Sequence, residues 1–523
     1  MAVETSSTTA APPGAAAQNP YLALVAVALG VMMVGLDGTV VGVANPTIAA
    51  DLDASLAGLQ WGTNGYLLAL AVLLIVGGKL GDRFGRKKVF LTGIVGFAIA
   101  SAGCALASSV GMLVVFRVLQ GVAGALLMPN TLAILRAAFP PSELNRAVGI
   151  WGGSSALAVA SGPIIGGLLV EHVSWESIFL LNLPLGLLAA IVAARWVQES
   201  RDDAHVDSFD LPGVALLSGG LFLLIWGIIK AQDKGWGSLY VLGFAIVGLL
   251  GLAAFVWRES RAKDPLLPLD LFRSRSLSAG TALVVVGFFA LFGLLFFVGL
   301  YLQNVHGYSP VQTGVRLLPL TATFVVSAPL GGFLTEKYGP RPPLVAGMLL
   351  LAACFFGLTF LEADSGYGAQ WPFYLGIGLC FGLVIVATTQ AIVGNAPVER
   401  GGIAGGLQST ANQLGGVLGT AVLGSVIVSA VGSALPDAVR SAGLPAAAAG
   451  QLDQARDLIG QGVAPVPPGT PTALAGAITR ATEEAFMSGL HAALWVGVVL
   501  SLLSVGLALI VTRGRVVDEP VAM

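Results

Sequence analysis

Fourteen stretches of mostly apolar residues, each near the length needed to cross a bilayer, divide the chain between residues 21 and 512. A membrane span takes about 20 such residues at about 1.5 Å of rise each. Lipid offers backbone groups no hydrogen-bond partner, so runs of this length must satisfy their own N–H and C=O groups as helices. The expected fold is therefore an all-α polytopic membrane protein with fourteen transmembrane helices. Composition agrees: 10% of residues are charged and 56% hydrophobic, against about 25% charged in soluble proteins. A net charge of −2 gives no footprint for a nucleic acid. The three cysteines, Cys104, Cys354 and Cys380, lie inside apolar runs and read as small core residues.

One charged hairpin is copied. Residues 77–90, Gly-Gly-Lys-Leu-Gly-Asp-Arg-Phe-Gly-Arg-Lys-Lys-Val-Phe, join the second and third runs. Residues 331–344, Gly-Gly-Phe-Leu-Thr-Glu-Lys-Tyr-Gly-Pro-Arg-Pro-Pro-Leu, repeat its order of glycines, acid, base and aromatic. The same shift in numbering carries Arg146 onto Arg400, each opening a glycine-rich apolar run. The two hairpins are an even number of spans apart, so the repeats are parallel and related by an axis along the membrane normal. This predicts two six-helix bundles, 21–198 and 278–512, with a linker at 199–277 that carries two inserted transmembrane helices. The span-13 run is placed at 401–433 and the last span at 489–512, which leaves 434–488 as an external loop with a short amphipathic helix near 480–488. Residues 1–20 and 513–523 read as tails, the first disordered and without the basic region of a cleaved signal.

An even number of spans puts both termini on one side. Nineteen Lys and Arg fall on that side and six on the other, so the positive-inside rule places both termini in the cytoplasm. A multi-pass protein of the cytoplasmic membrane, working as a monomer, is expected.

Few ionisable groups lie inside the apolar runs. Asp37 in span 1 and Arg117 in span 4 stand out. If span 1 ends near Asn45, Asp37 lies on the order of 12 Å below the outer surface and Arg117 roughly 10 Å. Buried charges in lipid face the protein interior and find partners. Two readings stand: Asp37 exchanges a proton during transport while Arg117 tunes it, or the two form a permanent structural ion pair. Embedded amides and a ring, Asn64, Tyr66, Gln120, Asn130, Gln390, Gln408 and Asn412, either line a substrate path or bond helices together. The sequence has no Gly-x4-Gly-Lys-Ser/Thr phosphate loop, no His-Glu-x-x-His motif and only scattered histidines. Neither an enzyme, a bound cofactor nor a metal site is expected, and an ion gradient remains as the drive.

Taken together these motifs resemble the major facilitator superfamily, in particular its fourteen-span drug:proton antiporters, over about 21–512. The hairpin Gly78-x-Leu80-Gly81-Asp82-Arg83-x-Gly85-Arg86-Lys87 is similar to that superfamily's conformational-switch motif. The resemblance implies that Asp82 pairs with basic residues and a helix N-terminus of the second bundle to hold one conformation closed. Leu113-x3-Arg117-x2-Gln120-Gly121 resembles the helix-4 motif, whose arginine is associated with proton transfer. Gly162-Pro163-Ile164-Ile165-Gly166-Gly167 resembles the helix-5 motif of exporters. The implied function is proton-coupled export of amphipathic organic compounds, drugs or antibiotics, by alternating access. Uptake of a small nutrient with protons, or a non-transporting scaffold or sensor, are the alternatives.

Overall fold

The computed structural model describes residues 19–201, 210–262, 265–396 and 401–512. The N-terminal tail up to residue 18, the tail from 513 and Arg400 lie outside the described residues. Among the described residues fourteen helices are long and apolar enough to span. The first bundle comprises α1 (Pro20–Asp51), α2 (Leu56–Phe84), α3 (Arg86–Ala105), α4 (Val110–Ala138), α5 (Pro141–His172) and a sixth span made of α6 (Ser177–Leu180) and α7 (Asn182–Trp196). The inserted pair is α8 (Leu211–Lys234) and α9 (Leu239–Glu259). The second bundle holds α10 (Arg275–Leu300), α11 (Pro310–Arg316) leading into α12 (Leu318–Tyr338), α13 (Arg341–Leu358), α14 (Tyr367–Val393), α15 (Gly401–Ser441) and α18 (Thr472–Ile510). Short helices α16 (Ala447–Gln454) and α17 (Arg456–Ile459) lie between α15 and α18. A π-helical turn, Tyr301–Val305, extends α10. Below, the near end carries the chain termini and the far end is its opposite.

Local chemistry sets the helix starts. Ser55, Ser109, Ser238 and Ser274 each accept a backbone N–H in the first turn of α2, α4, α9 and α10, satisfying donors that a helix N-terminus leaves free. Ser309 and Gln312 form a reciprocal capping box at α11.

The duplication is visible in the packing. In the first bundle α2 and α3 pack on α4, and α1 on α5 and α7; in the second, α12 and α13 pack on α14, and α10 on α15 and α18. The copied hairpins turn at glycines with left-handed backbone, Gly85 at φ +112° and Gly339 at φ +78°, where a side chain would be strained. Gly77 abuts the backbone of α4, and its counterpart Gly331 that of α14, with a Cβ there 2.5 Å from Gly382 O.

Three boundaries differ from the sequence expectation. Helix α1 runs on past Asn45 to Asp51 with Pro46 inside it, so Asp37 lies about 21 Å from the far end of the helix and not 12 Å. Helices α15 and α18 continue beyond the apolar runs, so the external loop shrinks from 434–488 to 442–471, and its predicted short helix at 480–488 is part of α18. Lipid length sets a minimum for a helix, not a maximum.

The inserted pair sits outside the bundles. α8 packs across the seam where α2 meets α15, while α9 leans chiefly on α8. Gln232 of α8 donates to Gln60 Oε1 at 2.6 Å, and Gln60 donates to Thr420 O at 2.8 Å. α9 exposes Leu242, Ile246, Val247, Leu249 and Leu250, an apolar face suited to lipid. All three cysteines are buried.

Candidate functional site

Proline and small residues shape the walls first. Proline inside a helix removes the hydrogen bond to the carbonyl four residues earlier. Pro163 of α5 frees Val159 O, and Thr39 Oγ1 of α1 donates to it at 3.2 Å. Pro46 frees Gly42 O, and Gly299 of α10 packs so closely that a Cβ there would sit 2.7 Å from that oxygen. Gly162 and Gly166 close on Thr39 and Val40, and a Cβ on Gly167 would meet Pro310 O at 2.5 Å. The helix-5 motif is thus a surface of close approach, to α1 within the first bundle and to α11 across the bundles.

The two embedded charges meet. Arg117 Nη1 donates to Asp37 Oδ2 and to Gln120 Oε1 at 2.6 Å; its Nε donates to Gly62 O at 2.9 Å. Asp37 Oδ1 accepts from Gln120 Nε2 at 2.7 Å and from Asn182 Nδ2 at 3.3 Å. Gln120 also donates to Ser101 Oγ at 2.7 Å, and the Tyr66 ring lies 4.2 Å from the guanidinium carbon. Both charged residues are 1% exposed. Desolvating two ions costs several kcal/mol each, offset only by close pairing and satisfied hydrogen bonds, which five helices here supply.

A narrow cleft between the bundles borders this cluster, lined by Tyr66, Leu67, Arg117, Phe292, Phe296 and Thr420 among others. Asp37 does not line it; Arg117 and Tyr66 stand between. The charge cluster therefore lies on one side of a wall whose other side presents an apolar, aromatic surface with a few polar groups.

The remaining sequence candidates divide. Asn64 Oδ1 accepts from Thr420 at 2.5 Å, a bond between bundles. Asn130 donates to Gly77 O at 3.1 Å and Leu126 O at 2.7 Å, tying α4 to α2. It is buried at 1% exposure and does not line the cleft. Gln390 is exposed, Gln408 donates to Thr389 at 2.6 Å, and Asn412 is half-buried with Oδ1 unpartnered.

In the hairpin, Asp82 accepts from Arg86 Nε at 3.0 Å and Nη2 at 2.8 Å; no described bond takes it to the second bundle. Gly81 faces the Asn130 amide, and Gly78 lies near Pro129. Arg83 lies 5.4 Å from the Phe84 ring. Lys87 Nζ donates to Ala194 O at 2.7 Å and its backbone N–H to Glu199 at 3.0 Å. Ties between the bundles recur at the far end: Gln303 to Val43 O at 2.8 Å, Val311 N–H to Glu171 at 2.8 Å, and Leu56 N–H to Asp457 at 2.8 Å.

Ser101 and Asn182 belong to the charge cluster but escaped sequence reasoning. Asn182 was readable as an amide in an apolar span; Ser101 has no signal beyond its type. Asp210, Arg258 and Glu259 form a second buried polar group at the base of the inserted pair, with Arg258 Nε 2.7 Å from Asp210. Burial pushes the Asp210 carboxyl up, but the Gly213 N–H and then the Arg258 guanidinium outweigh it and hold the group below the usual range.

The sequence profile of the Major Facilitator Superfamily matches residues 27–420. The tetracenomycin C resistance and export protein of Streptomyces glaucescens is 50% identical, covering 96% of this chain and 93% of that protein. The multidrug resistance protein Stp of Mycobacterium tuberculosis is 35% identical over 79% of this chain and 76% of its own. Among solved structures, a bacterial homolog of the human lysosomal transporter Spinster, inward-facing and occupied, superposes with TM-score 0.63 at 20% identity, covering 96% of this chain and 98% of that one.

Proposed function

The chain belongs to the Major Facilitator Superfamily and is a membrane transporter, and from that premise we propose that it exports amphipathic, antibiotic-like organic compounds in exchange for protons. The observation that carries this reading is the fully buried Asp37–Arg117 pair set behind the wall of the inter-bundle cleft. Cargo in the cleft and a proton on Asp37 compete through Arg117. A proton on Asp37 removes the charge that holds Arg117, and the freed guanidinium then offers its charge to the cleft. Deprotonation draws it back. Phe292, Phe296 and Tyr66 suit a flat aromatic cargo, and the printed functions of the relatives from Streptomyces and Mycobacterium support export of such compounds.

With the termini in the cytoplasm, as the basic residues favour, the far-end ties correspond to closure towards the outside. Alternating access then exchanges those ties for closure at the near end, with the hairpin around Asp82 as the switch.

The test is transport in proteoliposomes. Inside-out vesicles given an inward-acid pH gradient should accumulate tetracenomycin C, and Asp37→Asn should abolish the gradient dependence. Undiminished accumulation by the Asp37→Asn protein overturns the proton role, and alkalinisation of the medium when substrate is added outside intact cells would mark an importer.

A further inference from the structure

A second cavity lies within the first bundle, on the far side of Arg117 from most of the cleft. It is narrow, with room for about one water molecule, and runs along three helices at once. On α1 and the turn after it the lining goes from Ala54 through Ile48 and Asn45 to Val41; on α2 from Gly58 to Gly62; on α4 from Val110 to Arg117. Each series starts at the far end, and the α4 series descends about 10 Å. Val41 and Arg117 are the residues that line both this cavity and the cleft.

Asn45 is the informative residue. It is 1% exposed, lines the cavity, and its Nδ2 has no partner. A buried amide donor left unpaired costs about 1–3 kcal/mol, unless water takes it. Water needs polar partners and room. The Asn45 amide midway and the Arg117 guanidinium at the end provide the first, and the cavity provides the second.

We propose that this cavity is a water route from the far face to the Asp37–Arg117 pair, separate from the substrate cleft, with Asn45 as its relay and Arg117 as the partition. The idea rests on the proton-coupled reading above. The route brings water from the far face as far as Arg117, the ion partner through which Asp37, which lines neither the cleft nor this cavity, is reached.

The rest of the bore is apolar, lined by Ile48, Leu59, Leu113 and Phe179. Such a constriction resists a standing water column and so limits leak. The positive charge at its inner end repels a hydronium ion until Asp37 accepts the proton. The step balances simply: a proton leaves water, an O–H bond forms on the Asp37 carboxyl, and the ion contact with Arg117 opens. The far mouth is roofed by the segment around α17, where Asp457 Oδ2 accepts from Leu56 N–H at 2.8 Å and Gln461 Nε2 donates to Ala54 O at 3.4 Å.

Two measurements decide it. In a background with Cys104→Ala, Cys354→Ala and Cys380→Ala, Asn45→Cys should react with Ag⁺ added from the face carrying residues 52–55. The rate should exceed that of Ala26→Cys, a buried control, by at least about tenfold. Reaction no faster than the control, or only from the opposite face, overturns the route. In detergent, proton uptake after a pH jump should have a component absent from Asp37→Asn and slowed about tenfold in Asn45→Leu, which keeps the side-chain volume. An Asp37-dependent component of unchanged rate in Asn45→Leu rejects the relay. If wild type and Asp37→Asn take up protons alike, the coupling reading falls, and Ag⁺ access still decides the route.

Discussion

Replacing Asp37 and Arg117 singly and together separates a proton device from a structural lock. In Asp37→Asn the guanidinium keeps its bonds to Gly62 O and Gln120 Oε1 and its place over Tyr66, but loses its carboxylate partner. Stranding one partner of a buried pair costs about 3–5 kcal/mol. The surviving acceptors and the ring face recover some of this, a cation over a desolvated ring being worth about 2 kcal/mol. An expected loss of about 2–4 kcal/mol follows. Arg117→Met strands the carboxylate with only Gln120 and Asn182 as donors and should cost about as much. The double variant buries no charge and should come within about 1 kcal/mol of wild type, since neutral replacement of a buried pair is often nearly free. The coupling between the two changes would then be about 3 kcal/mol or more.

Equilibrium unfolding by dodecyl sulfate in mixed micelles measures the four corners of this cycle. Additive losses, with the double variant the least stable, refute the electrostatic reasoning. Transport by the same proteins then discriminates between roles. A lock alone predicts that the double variant recovers transport with stability. A proton device predicts a stable double variant that performs no gradient-driven exchange.

Other perturbations reach different parts of the molecule. Gly85→Ala meets both a φ of +112° and the Glu199 carboxylate 2.5 Å from the new Cβ, and should lower stability by about 1–3 kcal/mol. Gly78→Ala, whose nearest neighbour would be Pro129 Cβ at 3.5 Å, should leave the melting temperature unchanged; equal losses in the two would deny the turn its special geometry. At the far end, Gly167→Leu must push the α5 surface off Pro310 O, and spin-label distances across that end should lengthen relative to wild type. Burial, reinforced by Asp233 and opposed by the Leu56 N–H and Lys230, pushes the Asp457 carboxyl above its usual range. A raised folded-state value means that docking of this segment is favoured by acid and weakened as pH rises through it. Protection factors at residues 52–58, with the intrinsic pH dependence of amide exchange divided out, should therefore be higher at about pH 5 than at about pH 7.5, and Asp457→Asn should remove the difference.

The architecture was largely legible because lipid enforces it. Apolar runs had to be helices, and the charges Asp37 and Arg117 had to face the protein interior, although spans 1 and 4 alone left open whether the two touch. The copied hairpin was legible because Gly85 and Gly339 occupy a backbone conformation that few other residues adopt, which preserves glycine in both copies. Helix ends were not legible where the helix runs on beyond its apolar stretch. α15 and α18 leave the bilayer and continue in helical form, a choice that packing against the loop makes and hydropathy does not record. Amides were ambiguous for a related reason: Asn130 and Gln390 are equally polar, and only the opposing surface separates them. Gly81 opposite Asn130 was the readable clue, since a residue without a side chain leaves room for an amide to reach the next helix.

That clue generalises within this chain. Prolines inside helices at first suggest breaks or a lined cavity. Yet Val159 O, freed by Pro163, is met by the Thr39 hydroxyl; Gly42 O, freed by Pro46, is met by Gly299; and Ala125 O, freed by Pro129, is met by Gly77. Each of these three freed carbonyls faces a hydroxyl or a glycine on a neighbouring helix, so a hydroxyl bond or close approach with weak C–H···O contact replaces the lost bond. One of these meetings, Gly42 with Gly299, joins the two bundles rather than helices of one bundle. A contact between backbones has few side-chain atoms to interlock, so it can slide or part without repacking a core. The prolines and glycines that make the first bundle rigid against itself therefore also make its boundary with the second bundle separable, which is the mechanical property that alternating access requires.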